Sequence, residues 1–384
     1  MRVGIIGLGH RLSYLARVFS AARSDFTIVG YVDAAPAGLP YAQEHGVSVG
    51  QRFDSLEALL NGAEFDLLMV GSPNHFHLEH IRIGLEHGKK IFTEKPVVTT
   101  IEDTMELAKL IAEYGSDNVM VGLVLRYAPL YVDLRKAQAD GKLGDITSIE
   151  ASEHIPPYHG AFFMRDWRRY ERYSGSFMLE KCCHDLDLYN GVMGCRPKYV
   201  SSFGGRRTFI PANAPQGAGI NDLEVYHRKP SGWEGSDKVF DSDGDIIDFQ
   251  TAMVQYENGA ALTFHTNLNV PDDFRRFAVM GAKGMAEGDF IRNFLRVTDS
   301  RTADRLIDTT YKTSELSQHY GADEQMAEDI LKHLIDGVPL PVSVTDALEA
   351  GLLALSMDQA MKTKTVVDMT PIWQQFDAAL GRAV

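Results

Sequence analysis

The run Glu180-Lys181-Cys182-Cys183-His184-Asp185-Leu186-Asp187 concentrates ionisable side chains in a segment of helical pattern. In a helix, Glu180 and His184 share one face, and Asp187 continues it. A carboxylate beside an imidazole fixes its tautomer and raises its basicity, which suits general-base work. A solvated polar helix face would have the same composition. A metal cluster of Cys182, Cys183, His184 and Asp187 fits less well. Adjacent helical cysteines point about 100° apart, and no second Cys or His group has zinc spacing, so no metal is expected.

Glu94-Lys95-Pro96 supplies a cation at the end of a strand-like segment. Such a Lys can donate to a substrate hydroxyl or help move its proton, although a neighbouring Glu and Lys more often form a surface ion pair. Near the start, Gly7-Leu8-Gly9 follows a strand and opens a helix at His10 and Arg11. The first glycine permits a tight turn. The second lets the backbone approach a pyrophosphate on the helix N-terminus. The third glycine position of this dinucleotide fingerprint holds Leu12, which implies a shifted helix or altered packing. Asp33 ends the second strand, near the spacing of about 20 residues at which a carboxylate meets ribose hydroxyls. Ala34 and Ala35 follow, with no Arg for a 2′-phosphate, which favours NAD over NADP.

Several elements must position these groups. Val3–Ile6, Phe26–Val32, Leu67–Val70, Lys90–Phe92 and Val119–Gly122 read as strands buried on both faces. A helix capped by Asn74 carries Leu78, Ile81 and Leu85 and stops at Gly88. Another starts near Thr100, with Ile101, Met105, Ala108, Ile111 and Ala112 on one stripe. Strand–helix alternation implies a parallel sheet covered on both sides, with ligands at the carboxyl ends of its strands. Ser72-Pro73-Asn74-His75-Phe76-His77 and Thr93-Glu94-Lys95-Pro96 stand at such ends.

From Pro129 to Gly141 one more helix is predicted, and from Gly175 to Val192 the one bearing His184. Asp145–His154, Tyr199–Phe203, Ile246–Tyr256, Ala260–Leu268, Arg276–Gly281 and Gly284–Asp289 are strand-like, with short turns suggesting an antiparallel sheet. Helical patterns return at Met326–Ile335 and Ala347–Met361. Residues 204–244 lack periodicity, as a functional or mobile loop would.

The 384 residues suit two or three domains. A net charge of −14 disfavours nucleic acid as a partner. Three cysteines suit a reducing, cytoplasmic setting. Neither a signal peptide nor a membrane-spanning run is visible.

Taken together, these segments resemble the Gfo/Idh/MocA family of NAD(P)-dependent sugar and cyclitol oxidoreductases. The resemblance is carried by GLG at 7–9, Asp33, SPNHFH at 72–77, HGKKIFTEKP at 87–96 and GKLGDI at 141–146. It continues through RDWRR at 165–169, SGSFMLEKCCHDLDL at 174–188, NGA at 258–260, GAKG at 281–284 and HYGAD at 319–323. It implies an α/β fold: a doubly wound parallel Rossmann domain over residues 1–125 and a C-terminal α/β domain over 126–384. The second domain would carry an open-faced, mostly antiparallel sheet supporting the substrate pocket and a dimer or tetramer interface. The last helices would pack back on the first domain.

The family pattern Asp-x-x-x-His, with the Lys of the EKP motif, matches Lys95 and His184, while Glu180 replaces the Asp. By the resemblance, His184 removes a hydroxyl proton, Lys95 binds the same oxygen, and Glu180 orients His184 or grips a neighbouring hydroxyl. Gly7, Gly9, His10, Arg11, Leu12, Asp33, Ser72, Pro73, Asn74, His77, Glu94, Lys95, Trp167 and Arg168 are the NAD-side candidates. Arg126, Tyr127, Tyr158, His159, Arg165, Arg169 and Lys181 are the substrate-side candidates, the arginines suggesting an anionic or highly oxygenated sugar. Two rival functions remain open. One is NAD-dependent glycoside cleavage by transient oxidation, elimination, hydration and re-reduction. The other is a non-enzymatic dinucleotide sensor.

Overall fold

The computed structural model describes residues 1–215, 226, 230, 233–312 and 318–383. Six parallel strands form the first sheet in the order β3-β2-β1-β4-β5-β6. They are β1 (Arg2–Ile6), β2 (Thr27–Val32), β3 (Gln51–Phe53), β4 (Leu67–Val70), β5 (Lys90–Thr93) and β6 (Val119–Val121). Helices α1 (His10–Ala22), α2 (Leu39–Glu44), α3 (Leu56–Gly62), α4 (His77–Glu86) and α5 (Ile101–Tyr114) connect them. The central strand β4 is apolar throughout because both faces are covered, and all four of its residues are buried. The edge strand β3 lacks an apolar run and escapes the sequence reading.

Two local details differ from the sequence expectation. The helix placed from Asn74 begins instead at His77, after a 3₁₀ turn at Asn74–Phe76. The Asn74 amide does not cap it, because it donates to Glu180 and to the Ser174 carbonyl across the site. On α5, Thr104, Leu107, Ala108, Leu110 and Ile111 are buried whereas Ala112 is exposed, so the buried stripe is rotated from the predicted one.

The second sheet has nine strands in the order β14-β13-β12-β11-β7-β10-β9-β8-β15. They are β7 (Ile146–His154), β8 (Pro197–Gly205), β9 (Phe249–Tyr256), β10 (Ala261–Asn267), β11 (Phe274–Gly281), β12 (Gly284–Asp289), β13 (Phe294–Asp299), β14 (Arg305–Thr310) and β15 (Val367–Asp368). Only β7 and β10 pair in parallel; the other pairings are antiparallel. β9 starts three residues later than predicted. The buried Asp248 carboxylate instead accepts the backbone N–H groups of Arg207, Thr208 and Phe209 and holds Ile246–Asp248 as a loop. β13 and β14 were not foreseen.

Helices α6 (Pro129–Ala139), α7 (Pro157–Arg165), α8 (Glu171–Ser174), α9 (Phe177–Met193), α10 (Ala322–Asp336), α11 (Val344–Thr363) and α12 (Thr370–Ala379) complete the described chain. α9 is nearly all buried: Ser176 caps its start through Leu179 N–H at 3.0 Å, and left-handed Gly194 ends it. α11 packs on α9, α10 packs on α1 and α12 packs on α5. Among the described residues no helix is long and apolar enough to cross a membrane. Residues 216–225, 227–229, 231 and 232 of the predicted 204–244 loop lie outside the described residues. The described remainder is pinned: Ser236 and Asp237 hold Arg165, and Asp243 holds Arg169.

The Leu at the third fingerprint position has a specific complement. Leu12 is buried against the end of β4, where a Cβ on Gly71 would lie 2.5 Å from its Cγ. The space that a glycine would leave on α1 is here left on the strand side. Gly71→Ala should therefore destabilise the protein by about 1–3 kcal/mol through overpacking. In a Leu12→Ala background the same change should lose most of that cost. Urea unfolding of the four proteins checks this, and equal costs in both backgrounds would contradict it.

Candidate active site

The carboxyl end of the parallel sheet carries a cradle for a dinucleotide. Gly7 has φ +86°, and a Cβ there would lie 2.3 Å from the Ser72 backbone nitrogen, so this turn accepts only glycine. Gly9, before α1, has nothing within 4 Å of where a Cβ would stand. The start of α1 has neither a side-chain cap nor an acidic residue in its first turn. Free N–H groups facing open space fit a pyrophosphate. His10 is exposed at this end.

Asp33 follows β2, and its Oδ1 accepts the Ala35 N–H at 2.7 Å. Arg52 on β3 reaches the carbonyls of Asp33 and Ala34 at 3.1 and 3.4 Å. The absence of an Arg near Asp33, inferred from the adjacent sequence, is thereby corrected: the neighbouring strand delivers one.

At the other side of this sheet edge, several fingerprint residues prove to be fasteners. His77 is buried, with its ring nitrogens 2.9 Å from the Pro96 carbonyl and 2.8 Å from the Ser72 carbonyl. It ties the segment after β4 to the segment after β5 and does not face a ligand. The Ser72 hydroxyl pairs with His80 at 2.9 Å, and Pro73 precedes the 3₁₀ turn. Arg11 is likewise engaged, with Nε 3.0 Å from Glu94 and Nη2 2.7 Å from Asp323. These ion pairs raise its pKa although burial opposes the charge.

Lys95 and α9 meet directly. Lys95 Nζ donates to the Glu180 backbone carbonyl at 2.7 Å and lies 3.7 Å from its Oε1. Glu180 is buried, accepts from Arg168 Nε at 2.8 Å and also accepts from the Asn74 amide. Burial alone would raise its pKa, but Lys95 and Arg168 hold the carboxyl below the usual range. It is therefore a carboxylate whose oxygens are engaged by Arg168 and Asn74. The expectation that Glu180 orients His184 is not met, since its bonds run to the Rossmann side and to Arg168.

His184, one turn further on, is 6% exposed. Its Nδ1 is buried without a hydrogen-bond partner. Burial, followed by the charges of Lys95 and Arg275, pushes its pKa well below the ordinary value, so the ring is neutral near pH 7. A neutral imidazole beside an ammonium can accept a proton that an alcohol gives up. The neighbouring cysteines are inert, with burial pushing the Cys183 thiol up to about 12. Among the described residues no group of three or more His, Cys, Asp or Glu is placed to hold a metal ion.

The substrate-side candidates divide. Asp187 does not join the Glu180–His184 face; it forms a bidentate pair with Arg126 at 2.6 and 2.8 Å. Arg126 is thus a structural cation, and Tyr127 beside it is buried. Arg165 binds Asp237 at 2.8 Å and the Ser236 and Tyr226 carbonyls. Arg169 is buried and binds Asp243 at 2.8 Å. The expected anion site at Arg165 and Arg169 is corrected accordingly: the chain's own acceptors already take their donors. Lys181 pairs with Glu153 at 3.2 Å, and Glu153 with Arg275, which also binds Asp185 bidentately. Tyr158 and His159 stand on α7, Tyr158 being 45% exposed. Trp167 is buried under the Arg168 guanidinium, 4.2 Å above its ring.

One residue was overlooked as a site group. The His319 ring lies 6.5 Å from that of His184, between centroids. Its Nδ1 is 2.8 Å from Asp323, the same carboxylate that Arg11 binds. Its i, i+4 spacing from Asp323, within HYGAD at 319–323, is the sequence signal that could have marked it.

Comparison with known proteins completes the picture. Residues 1–123 match a family model described as the oxidoreductase family with an NAD-binding Rossmann fold, and residues 131–287 match the GFO/IDH/MocA C-terminal domain. Inositol 2-dehydrogenase of Rhizobium meliloti is 25% identical over 202 residues, covering 53% of this chain and 58% of its own. The 2,7-anhydro-N-acetylneuraminate hydratase of Escherichia coli is 24% identical over 207 residues, covering 53% and 52%. The chain thus spans little more than half the length of these relatives. Scyllo-inositol dehydrogenase of Lactobacillus casei, solved with NAD(H) and scyllo-inositol, shares the fold with a TM-score of 0.73 at 20% identity, covering 96% of this chain and 98% of its own. The two matched models lie in tandem along one chain, over the two sheets described above, and the chain belongs to the Gfo/Idh/MocA oxidoreductase family, with an NAD-binding Rossmann fold at its N-terminal end.

Proposed function

We propose that this protein is an NAD-dependent dehydrogenase acting on a secondary alcohol of a sugar or cyclitol. The observation that carries the reading is the meeting of Lys95, from the end of β5, with Glu180 on α9, one turn before His184. NAD, bound over Gly7 and Gly9, supplies the hydride acceptor. His184 takes the hydroxyl proton on Nε2, the ring atom opposite its buried Nδ1. Lys95 Nζ donates a hydrogen bond to the same oxygen and stabilises the negative charge that grows there. Glu180 is a positioning residue, anchoring Arg168 and Lys95.

The reading divides the chain functionally into a cofactor part, residues 1–125, and a substrate part, 126–384. It places the protein in the cytoplasm as a homo-oligomer, in keeping with its three free cysteines and its family.

A second reading has one specific support, the similarity to a hydratase of an anhydro sugar. There the same Lys95 and His184 would serve a redox-neutral elimination and hydration. A panel of myo-inositol, scyllo-inositol, D-glucose, D-glucuronate and nitrophenyl glycosides separates the two. Accumulating NADH supports the dehydrogenase, whereas nitrophenol release with no net NADH supports the alternative.

Three outcomes follow from the dehydrogenase reading. His184→Ala and Lys95→Ala each lower kcat by more than ~10²-fold, with NAD binding retained. Wild-type rates in either variant would refute the assignment. NAD binds at least ~10-fold more tightly than NADP, and Asp33→Ala narrows the gap by removing the carboxylate that repels a 2′-phosphate, with Arg52 close by on the next strand. Fluorescence titration with both cofactors reads this, and an NADP preference in the wild type would reverse it.

The third outcome concerns stability. Glu180→Gln leaves two half-buried cations, Lys95 and Arg168, without their shared carboxylate and costs about 1–3 kcal/mol at pH 7. The Glu180 pKa is depressed in the folded protein, so its contribution is present above the unfolded value of about 4.3 and fades as pH falls through the lower folded value. The stability gap between wild type and variant should therefore close in acid. A gap that is constant with pH would show that the carboxylate is not the cause.

A further inference from the structure

His319 is built into the site as carefully as His184, though no residue of the reaction outlined above requires it. Asp323 is fully buried, and its carboxylate accepts from Arg11 at 2.7 Å and from His319 Nδ1 at 2.8 Å. Nδ1 also lies 3.4 Å from Arg11 Nη1, but the carboxylate is the shorter contact and only accepts, so Nδ1 carries the proton and a neutral ring keeps its lone pair on Nε2. Arg11 also binds Glu94, immediately before Lys95, at 3.0 Å. The imidazole orientation is thereby fixed relative to the Lys95 segment. The His319 side chain remains 29% exposed, so the ring is not sealed in.

The backbone also gives way to this placement. Tyr320 has φ 59° and Gly321 φ 85°, two successive left-handed residues. A non-glycine residue holds that conformation only where its surroundings impose it, and such residues gather at functional sites. The His319 and His184 ring centroids lie 6.5 Å apart with the rings tilted 42° to one another, close enough for nitrogens of the two rings to reach oxygens on adjacent carbons of one molecule.

We propose that His319 binds the hydroxyl on the carbon next to the one oxidised, and so selects polyols bearing two adjacent hydroxyls. The inference rests on the dehydrogenase reading and adds to it the substrate class. Nε2 accepts the hydrogen bond of that second hydroxyl, while Asp323 keeps the ring from turning. Burial lowers the His319 pKa, which favours the neutral, accepting form.

The test uses the polyol of the panel that the wild type oxidises fastest, together with its deoxy analogue lacking the neighbouring hydroxyl. For His319→Phe, KM for the polyol should rise at least ~10-fold with kcat within ~3-fold, while kcat/KM for the deoxy analogue stays within ~3-fold of wild type. His319→Gln, which keeps a polar end, should recover part of the loss and guards against a folding defect in the Phe variant. The dissociation constant for NAD should be unchanged. Equal losses on polyol and deoxy analogue would reduce His319 to a brace between α10 and α1. Weaker NAD binding with an unchanged polyol KM would assign it to the cofactor. Either result overturns the proposal alone, whereas a wild-type protein that oxidises no polyol overturns the dehydrogenase reading as well.

Discussion

One buried carboxylate joins the two halves of the site. Glu180, on α9, binds Arg168 from the turn after α7, Asn74 from the loop after β4 and, more distantly, Lys95 from the loop after β5. Taking such a group out of water is costly, and its partners do little more than repay that cost. Its value is therefore geometric. It sets the end of the parallel sheet against the helix that carries His184.

A second set of charges braces the same seam from the opposite side. Arg11 links Glu94 to Asp323, and Asp323 in turn holds His319. Behind α9, Arg275 binds Asp185 and Glu153, and Glu153 binds Lys181. The cations named here thus each have an internal partner, and between these networks stand the rings of His184 and His319, 6.5 Å apart. Such a site is suited to an uncharged, hydroxyl-rich molecule better than to an anion, because no arginine named for anion binding retains an unengaged fork.

Much of this was legible in the sequence. Apolar runs marked five of the six parallel strands, and Ser176 and Gly194 bounded α9 within two residues of the predicted span. The edge strands β3 and β14, and β13 beside β14, were hidden because their residues alternate or stand exposed and carry little burial signal. At the site, Lys95 and His184 were legible only through the motifs that carry the resemblance, the EKP tripeptide and the carboxylate-x-x-x-His spacing. The roles of Asn74, His77, Arg126 and Arg169 were not, because a polar side chain looks the same in sequence whether it faces a ligand or fastens two loops. Arg52 and His319 reach the site from neighbouring elements, one across a strand pairing and the other from far along the chain, and only tertiary structure brings them in. Leu12 was recognised as a departure, but its complement, Gly71, lies on a different strand end.

The most direct measurement is a crystal structure of the protein with NAD and an oxidisable polyol. The account predicts one substrate hydroxyl oxygen within about 3 Å of both Lys95 Nζ and a His184 ring nitrogen, with its carbon facing the nicotinamide. A polyol whose nearest oxygen meets only one of these two groups, or whose carbons all lie away from the nicotinamide ring, would contradict it.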